Sequence, residues 1–295
     1  HSGRKGATCV PWEGGIDEPL KTGMWKIIAP SAIPYLDHSA VPVEMTIADM
    51  DRVTDQFVFA AKNAESAGFD MIEIHLAHGY LLSSFISPHT NIRDDEFGGP
   101  IEARMRFPLQ IIEAMRVAWP DEKPLSVRIS ATDWVEDGLS EADMLAVALM
   151  LKAAQVDIIN VSTGQVTKDE TPIYGRMFQA PFADQIRNEV GISTIVAGNI
   201  TTVDQANTLV AAGRTDIVAF GRVIMNEPHF VLKAAAEYGE TEQYWAPQYQ
   251  SGKLLAENLA NKNNDEMLEL RKAAKAPDPR EALEIAIVRG KNFQD

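Results

Sequence analysis

Two histidines and a tyrosine are grouped at the end of the segment Ile72-Glu73-Ile74-His75-Leu76-Ala77-His78-Gly79-Tyr80. A short apolar run stops at these side chains, and a loop follows. In β/α proteins the residues at the carboxyl ends of strands line the site. Imidazoles and a phenol placed there together suit the gripping of one small molecule. Three readings of His75 and His78 are open. As metal ligands they need a third partner, and H-x-x-H alone is a weak signal. No H-E-x-x-H is present, and the nearest carboxylates, Asp94-Asp95-Glu96, lie across a long loop. As structural histidines they would be unexceptional singly, less so as a pair beside Tyr80. As paired donors, each neutral imidazole offers one N–H to a substrate oxygen, and this reading fits the grouping best. Tyr80 is either a packed aromatic or a phenol that protonates a developing carbanion.

Arg128 lies inside the apolar run Leu125-Ser126-Val127-Arg128-Ile129-Ser130. A charge in a buried strand is costly unless paired, so a salt bridge or an electron-rich cofactor ring must answer it. Two later turns have the composition of phosphate holders. Gly198-Asn199-Ile200-Thr201-Thr202 precedes a helical stretch, and Gly221-Arg222 follows the last apolar run. Glycine admits close backbone approach, and a helix N-terminus presents free amides. Ordinary turns explain the same glycines, although Arg222 favours an anion. Asp94, Asp95, Glu96, Arg104 and Arg106 read as a surface ion-pair network that shapes the loop after Tyr80.

The elements that must hold these residues follow a regular pattern. Apolar runs suited to buried strands recur at 71–75, 125–130, 157–162, 194–198 and 216–220. Helical stretches fall between them: from residue 48 through Ala67, then near 101–118, 140–154, 180–190 and 202–212, with another at 226–238. Such alternation predicts a parallel sheet with right-handed crossovers. An open doubly wound sheet and part of a (β/α)8 barrel both satisfy it. No G-x-G-x-x-G and no Walker lysine motif occurs, so the nucleotide fingerprints of open sheets are missing.

Residues 1–47 are rich in Gly and Pro and read as a long loop connection, of a length that usually serves a site. Residues 48–240 form the β/α region that carries the site. From 241 an aromatic arm, Tyr244-Trp245-Ala246-Pro247-Gln248-Tyr249, leads to charged, alanine-rich helices at 253–273 and 280–289. This tail is expected to pack outside, to pair with a second copy as a homo-oligomer, or to be mobile.

The formal net charge is −15 over 295 residues, which argues against a nucleic-acid partner. Cys9 is the only cysteine, so neither an intrachain disulfide nor a cysteine metal cluster can form. No apolar stretch approaches the ~20 residues of a membrane helix. No signal peptide is recognisable at the start of the chain. A cytoplasmic protein acting on a small molecule is the resulting expectation, with no membrane partner.

Several motifs together resemble the Old Yellow Enzyme family of FMN-dependent reductases. They are His75-x-x-His78-Gly79-Tyr80-Leu81, Phe85-Ile86-Ser87-Pro88, Asn91, Arg93, Asp95-Glu96-Phe97-Gly98-Gly99 and Glu102-x-Arg104-x-Arg106-Phe107. Ser126-Val127-Arg128-Ile129-Ser130-Ala131 and Phe220-Gly221-Arg222 resemble its later strand ends. The opening His1-Ser2-Gly3-Arg4-Lys5 resembles the stretch after its third strand. The resemblance therefore implies a (β/α)8 barrel that is N-terminally incomplete, about strands 4–8, with a helical tail. It further implies FMN across the strands' carboxyl ends and NAD(P)H stacking transiently on the flavin, without a Rossmann domain. On that pattern His75 and His78 bind the substrate carbonyl and Tyr80 donates the proton. Arg128 faces the flavin ring, while Gly198, Asn199, Gly221 and Arg222 hold its phosphate. The implied reaction is reduction of an activated C=C bond by hydride transfer from flavin.

A narrower likeness lies in Asp133-Trp134-Val135-Glu136-Asp137-Gly138, Ser162-Thr163-Gly164-Gln165 and Tyr174-Gly175-Arg176-Met177-Phe178-Gln179. These are similar to the reductase-like part of bifunctional salicylyl-CoA/2-aminobenzoyl-CoA monooxygenase/reductases. The rival readings are a metal-dependent barrel hydrolase built on His75 and His78, and a non-catalytic fragment.

Overall fold

In the computed structural model, which describes residues 2–240 and 242–273, the stretch expected to be irregular contains two short parallel strands. These are β1 (Ile28–Ala29) and β2 (Val43–Glu44). Helix α1 (Ile47–Ser66) starts at a reciprocal cap, in which the Thr46 side chain accepts from Asp49 N–H while the Asp49 carboxylate accepts from Thr46 N–H. Such a box satisfies two of the amides that a helix start leaves open. Gly68, at φ 82°, turns the chain toward β3 (Ile72–Leu76).

The remaining elements alternate. Helices α2 (Leu81–Ile86), α3 (Ile101–Arg104) and α4 (Arg106–Ala118) lead to β4 (Leu125–Ser130). Helix α5 (Glu141–Ala153), capped by Ser140 and Asp143, leads to β5 (Ile158–Ser162). Helix α6 (Ala180–Gln185) runs into a π turn, Ile186–Val190, before β6 (Ser193–Val196). Helix α7 (Val203–Ala211) then precedes β7 (Ile217–Val218).

One expected helix, 101–118, is broken and another, 226–238, starts only at Phe230, and proline explains both. Pro108 cannot donate, and its ring crowds the carbonyl four residues back, at Arg104. The stretch 101–118 accordingly divides at Met105. Pro228 drives the preceding residue out of the helical region. Glu227 sits at φ −133° and ψ 87°, separating α8 (Arg222–Asn226) from α9 (Phe230–Glu237).

Strands β3 to β7 form one parallel sheet in the order β3-β4-β5-β6-β7. A doubly wound sheet reverses its order at a switch point, and this one does not. Each strand lies beside its predecessor, as around a barrel. The fold is α/β, and the sheet is a five-strand arc of the (β/α)8 type.

Pleating sends alternate side chains to opposite faces. On one face Ile74, Leu76, Val127, Ile129, Ile159, Val161 and Val196 join a single core with helix residues such as Met50, Val53, Ile111, Met144 and Leu151. On the other stand Glu73, His75, Ser126, Arg128, Ser130, Asn160 and Ser162. Barrel interiors are normally filled by bulky branched residues. A polar inner face on three adjacent strands therefore marks the site.

Two compact units divide between Phe220 and Gly221. In the second, a three-residue 3₁₀ turn, Pro247–Tyr249, precedes α10 (Gln250–Ala273), which packs on α9. The His229 and Trp245 rings stack there with centroids 6.3 Å apart. The helix expected at 280–289 lies outside the described residues.

Candidate active site

Strand register sets the first row of the site. His75 pairs with Arg128, and Arg128 with Asn160, so three polar side chains stand side by side across β3, β4 and β5. Below them, the Glu73 carboxylate accepts from Ser126 Oγ at 2.9 Å and from Asn160 Nδ2 at 3.0 Å. Above them, Ser130 Oγ accepts the His78 N–H at 2.9 Å and donates to the Gly164 carbonyl at 3.0 Å.

His78 leaves the end of β3 in a left-handed conformation, φ 63°, and Gly79 continues it at φ 70°. This double reversal folds His78 and Tyr80 back over His75. The ring centroids lie 5.0 Å apart for His75–His78, 5.3 Å for His75–Tyr80 and 6.5 Å for His78–Tyr80, all edge-on. The three expected residues do converge. Only glycine fits at 79, because a Cβ there would stand 2.7 Å from the Gln165 carbonyl oxygen.

The turn is held from beneath by Lys5, whose side chain is fully buried. Its ammonium donates to the carbonyls of His78 and Gln165, each at 3.1 Å, and pairs with Asp17 at 2.8 Å. It also lies 5.1 Å from the centre of the Tyr80 ring and 4.6 Å from that of Tyr35. Arg4, likewise buried, donates to the Val166 carbonyl at 2.8 Å. The glycine-rich opening stretch thus serves the site through two buried cations.

Electrostatics favour neutral imidazoles. Burial, then the nearby Arg128 charge, pushes His75 below its usual value. Its ring is accessible from the inner face, yet enough protein surrounds it to penalise a charge. Burial, Arg128, His75 and Lys5 together bring His78 down to about 3. Burial, followed by the Asp17 charge, pushes the Tyr80 phenol up. At neutral pH the group thus holds two uncharged imidazoles and a protonated phenol, each carrying a transferable or shareable hydrogen.

Arg128 supplies the cofactor test. Its Nε is buried without a hydrogen-bond partner, and Asn160 Oδ1, one strand away, is likewise unpartnered. Neighbouring buried donor and acceptor atoms left open in this way are costly unless a ligand completes them. A flavin, whose heterocycle carries both acceptors and an N–H, fits that requirement.

The other expected residues are placed as follows. Gly198 (φ 100°) and Asn199 (φ 55°) make the turn after β6, and Asn199 Nδ2 donates to the Gly175 carbonyl at 3.1 Å. Helix α7 beyond them is capped by Thr202, which accepts from Gln205 N–H at 3.3 Å. Gly221 and Arg222 open the second unit, both exposed, with Arg222 the first residue of α8. Of the ion-pair network, Arg106–Glu96 is an exposed pair at 2.9 Å, and Asp95 pairs with Arg93. Arg104 differs: it is buried and donates to the carbonyls of Gly99 and Ile86.

Among the described residues, no group of three or more His, Cys, Asp or Glu side chains is placed to hold a metal ion. Among the same residues, no helix is long and apolar enough to cross a membrane.

Four contributors were given no role from the sequence: Asn160, and Lys5, Ser162 and Gln179, which stand in the motifs of the resemblances. Asn160 and Ser162 had a readable signal, since they alternate as polar residues within the apolar run 158–162 and so mark an inner face. Lys5 and Gln179 had no signal beyond the resemblance, because their parts depend on contacts 73 and 17 residues away.

Residues 13–240 match the family described as NADH:flavin oxidoreductase / NADH oxidase. The NADPH dehydrogenase of Listeria innocua is 43% identical over 216 residues, covering 73% of this chain and 63% of that protein. That of Geobacillus thermodenitrificans is 44% identical over 214 residues, covering 72% and 62%. The chain thus spans a little under two thirds of the length of these relatives. Among solved structures, 2-naphthoyl-CoA reductase in complex with 2-naphthoyl-CoA superposes with a TM-score of 0.66 at 25% identity, covering 71% of this chain and 33% of that one. A match of this extent, on a chain whose inner strand face carries the paired histidines, places it in the NADH:flavin oxidoreductase / NADH oxidase family, the Old Yellow Enzyme family.

Proposed function

We propose that this chain carries the substrate side of an FMN-dependent oxidoreductase that uses NAD(P)H to reduce an activated C=C bond. The carrying observation is the convergence of two neutral imidazoles and one protonated phenol on the inner face of the arc. Arg128 and Asn160 would hold the flavin through their open buried atoms. Within the first unit, Gly198 and Asn199 keep the phosphate-holding role that the resemblance implies. The chemistry FMN supplies when bound is hydride transfer, taken from NAD(P)H and delivered to the carbon β to a carbonyl.

The residues of the chain do the rest. His75 and His78 bind the carbonyl oxygen and stabilise the negative charge that grows on it. Neutral rings suit this task, because a hydrogen-bond donor matched to developing charge acts without first giving up its proton. Tyr80 protonates the α carbon, and its raised pKa keeps the proton in place until the carbanion forms. An acceptor with its double bond conjugated to a carbonyl fits such a site, either a simple enone or a dearomatised aryl thioester. The second class gains support from the superposition on a reductase solved with 2-naphthoyl-CoA.

Stopped-flow measurement of the two half-reactions tests the assignment. With flavin loaded, Tyr80→Phe is expected to slow enone reduction by roughly 10²–10⁴. His75→Ala is expected to slow it by roughly 10²–10³. Flavin reduction by NAD(P)H should change far less in both variants. Equal slowing of both half-reactions would refute these roles.

A further inference from the structure

Four side chains form one continuous hydrogen-bonded row: His75, His78, Ser162 and Gln179. Donor and acceptor counting fixes its direction. His75 Nδ1 accepts the Ala77 N–H at 3.1 Å, so the single proton of the neutral ring is on Nε2. That nitrogen lies 3.3 Å from His78 Nδ1. Two N–H groups cannot face each other across this distance, so His78 Nδ1 accepts and its own proton is on Nε2. From there it donates to Ser162 Oγ at 2.7 Å.

Ser162 must then donate onward, and Gln179 is the acceptor. With its amide oxygen toward β5, Gln179 accepts from Ser162 Oγ, Thr163 N–H and Thr163 Oγ1, each at 3.3 Å, while its nitrogen donates to the Ala197 carbonyl at 3.3 Å. Both Ser162 and Gln179 are more than nine-tenths buried. Space for Gln179 is made by Gly198, where a Cβ would stand 2.9 Å from its Cγ and Oε1.

An oxygen that accepts from both imidazoles reverses this row. It needs a proton on His78 Nδ1 as well as on His75 Nε2. The proton of His78 then leaves Nε2 for Nδ1 with no net uptake, and Nε2 becomes an acceptor. Ser162 must turn its hydroxyl toward that nitrogen, and Gln179 must present its amide N–H₂ to Ser162. In this second orientation the Gln179 nitrogen lies 3.3 Å from both Ser162 Oγ and Thr163 Oγ1, but its oxygen then faces the Ala197 carbonyl. This orientation is therefore the costlier one, and the bound oxygen must offset the difference.

We propose that Ser162 and Gln179 are positioning residues that set the tautomer of His78, and that the Gln179 amide turns over when a carbonyl or enolate oxygen binds between the two histidines. The inference rests on the oxygen-binding role proposed above for His75 and His78. It adds a two-state device behind them, in which a hydroxyl rotor and an amide switch the donor at the site on and off.

The test uses histidine-labelled, FMN-loaded protein and 4-nitrophenolate as a probe whose oxygen resembles an enolate's. Nitrogen NMR reports which ring nitrogen of His78 is protonated, and the phenolate absorbance reports binding. The expected result is an Nε2–H tautomer in the free protein and an Nδ1–H tautomer with the probe bound. Ser162→Ala and Gln179→Met should each weaken probe binding by about tenfold, the loss of roughly one hydrogen bond. Ser162→Thr, which keeps the hydroxyl, should restore most of the affinity. No probe binding to the parent protein would overturn the oxygen-binding role itself, and this inference with it. Probe binding with an unchanged His78 tautomer, or with unchanged affinity in both variants, would overturn this inference alone.

Discussion

Replacing His78 with asparagine isolates what it costs to keep that imidazole uncharged. Asparagine is the suitable replacement because position 78 has φ 63°, a left-handed conformation that asparagine tolerates better than most residues. Burial, with Arg128, His75 and Lys5 facing the ring, lowers its pKa from 6.5 to about 3. The unfolded chain therefore takes up the proton first as pH falls. Stability from this group is fully present above 6.5 and is lost as pH drops from there toward 3. By linkage, the loss between about pH 8 and about pH 5 is roughly 2 kcal/mol. Asparagine does not titrate, and the remaining carboxylates and His75 are common to both proteins. Urea unfolding at the two pH values should show the parent losing about 2 kcal/mol more than His78→Asn, with similar dependence on urea. Identical pH dependence in the two proteins would refute the claim that His78 is held neutral by its surroundings.

Four further substitutions carry expected outcomes. Gly79→Ala combines a left-handed backbone with a Cβ 2.7 Å from a carbonyl oxygen, and should cost about 2–5 kcal/mol in urea unfolding. Gly99→Ala, at φ 84° with nothing within 4 Å, should cost only about 1–2 kcal/mol. Arg128→Met removes a buried donor that lacks a partner; fluorescence titration should show FMN affinity falling at least about tenfold, with folding stability unchanged or higher. Lys5→Met strands the Asp17 carboxylate and two loop carbonyls, and should destabilise the fold by about 3–5 kcal/mol in thermal unfolding. Adding Asp17→Asn should recover part of that loss.

The strands were the most legible part of the sequence. Each of the five apolar runs forms a strand within three residues of its expected ends, because a buried parallel strand needs continuous apolar sequence whatever its neighbours do. Helices were legible where a cap marks the start, as at Thr46 and Ser140. They were misread where a proline sits inside an amphipathic pattern. The apolar spacing continues through Pro108 and Pro228, but the backbone cannot. Periodicity alone left open sheet or barrel undecided, since it carries no information on strand order, and the barrel came from the family resemblance. The order β3 to β7 without reversal settled it.

The proposed catalytic group was visible because its members are neighbours in sequence, and the chain needs only two left-handed residues to fold them together. Its support was not, because support is assembled across strands. Gly198 shows why. In sequence, a glycine after a late strand suggests backbone approaching a phosphate. In the structure, the missing Cβ makes room for Gln179, a side chain that reaches Ser162 and, through it, His78. A glycine required by a ligand and one required by a neighbouring side chain have the same letter and the same turn. The two needs separate on substitution: Gly198→Ala that weakens flavin retention alone speaks for the phosphate. Loss of the His78 tautomer preference with flavin retained speaks for Gln179.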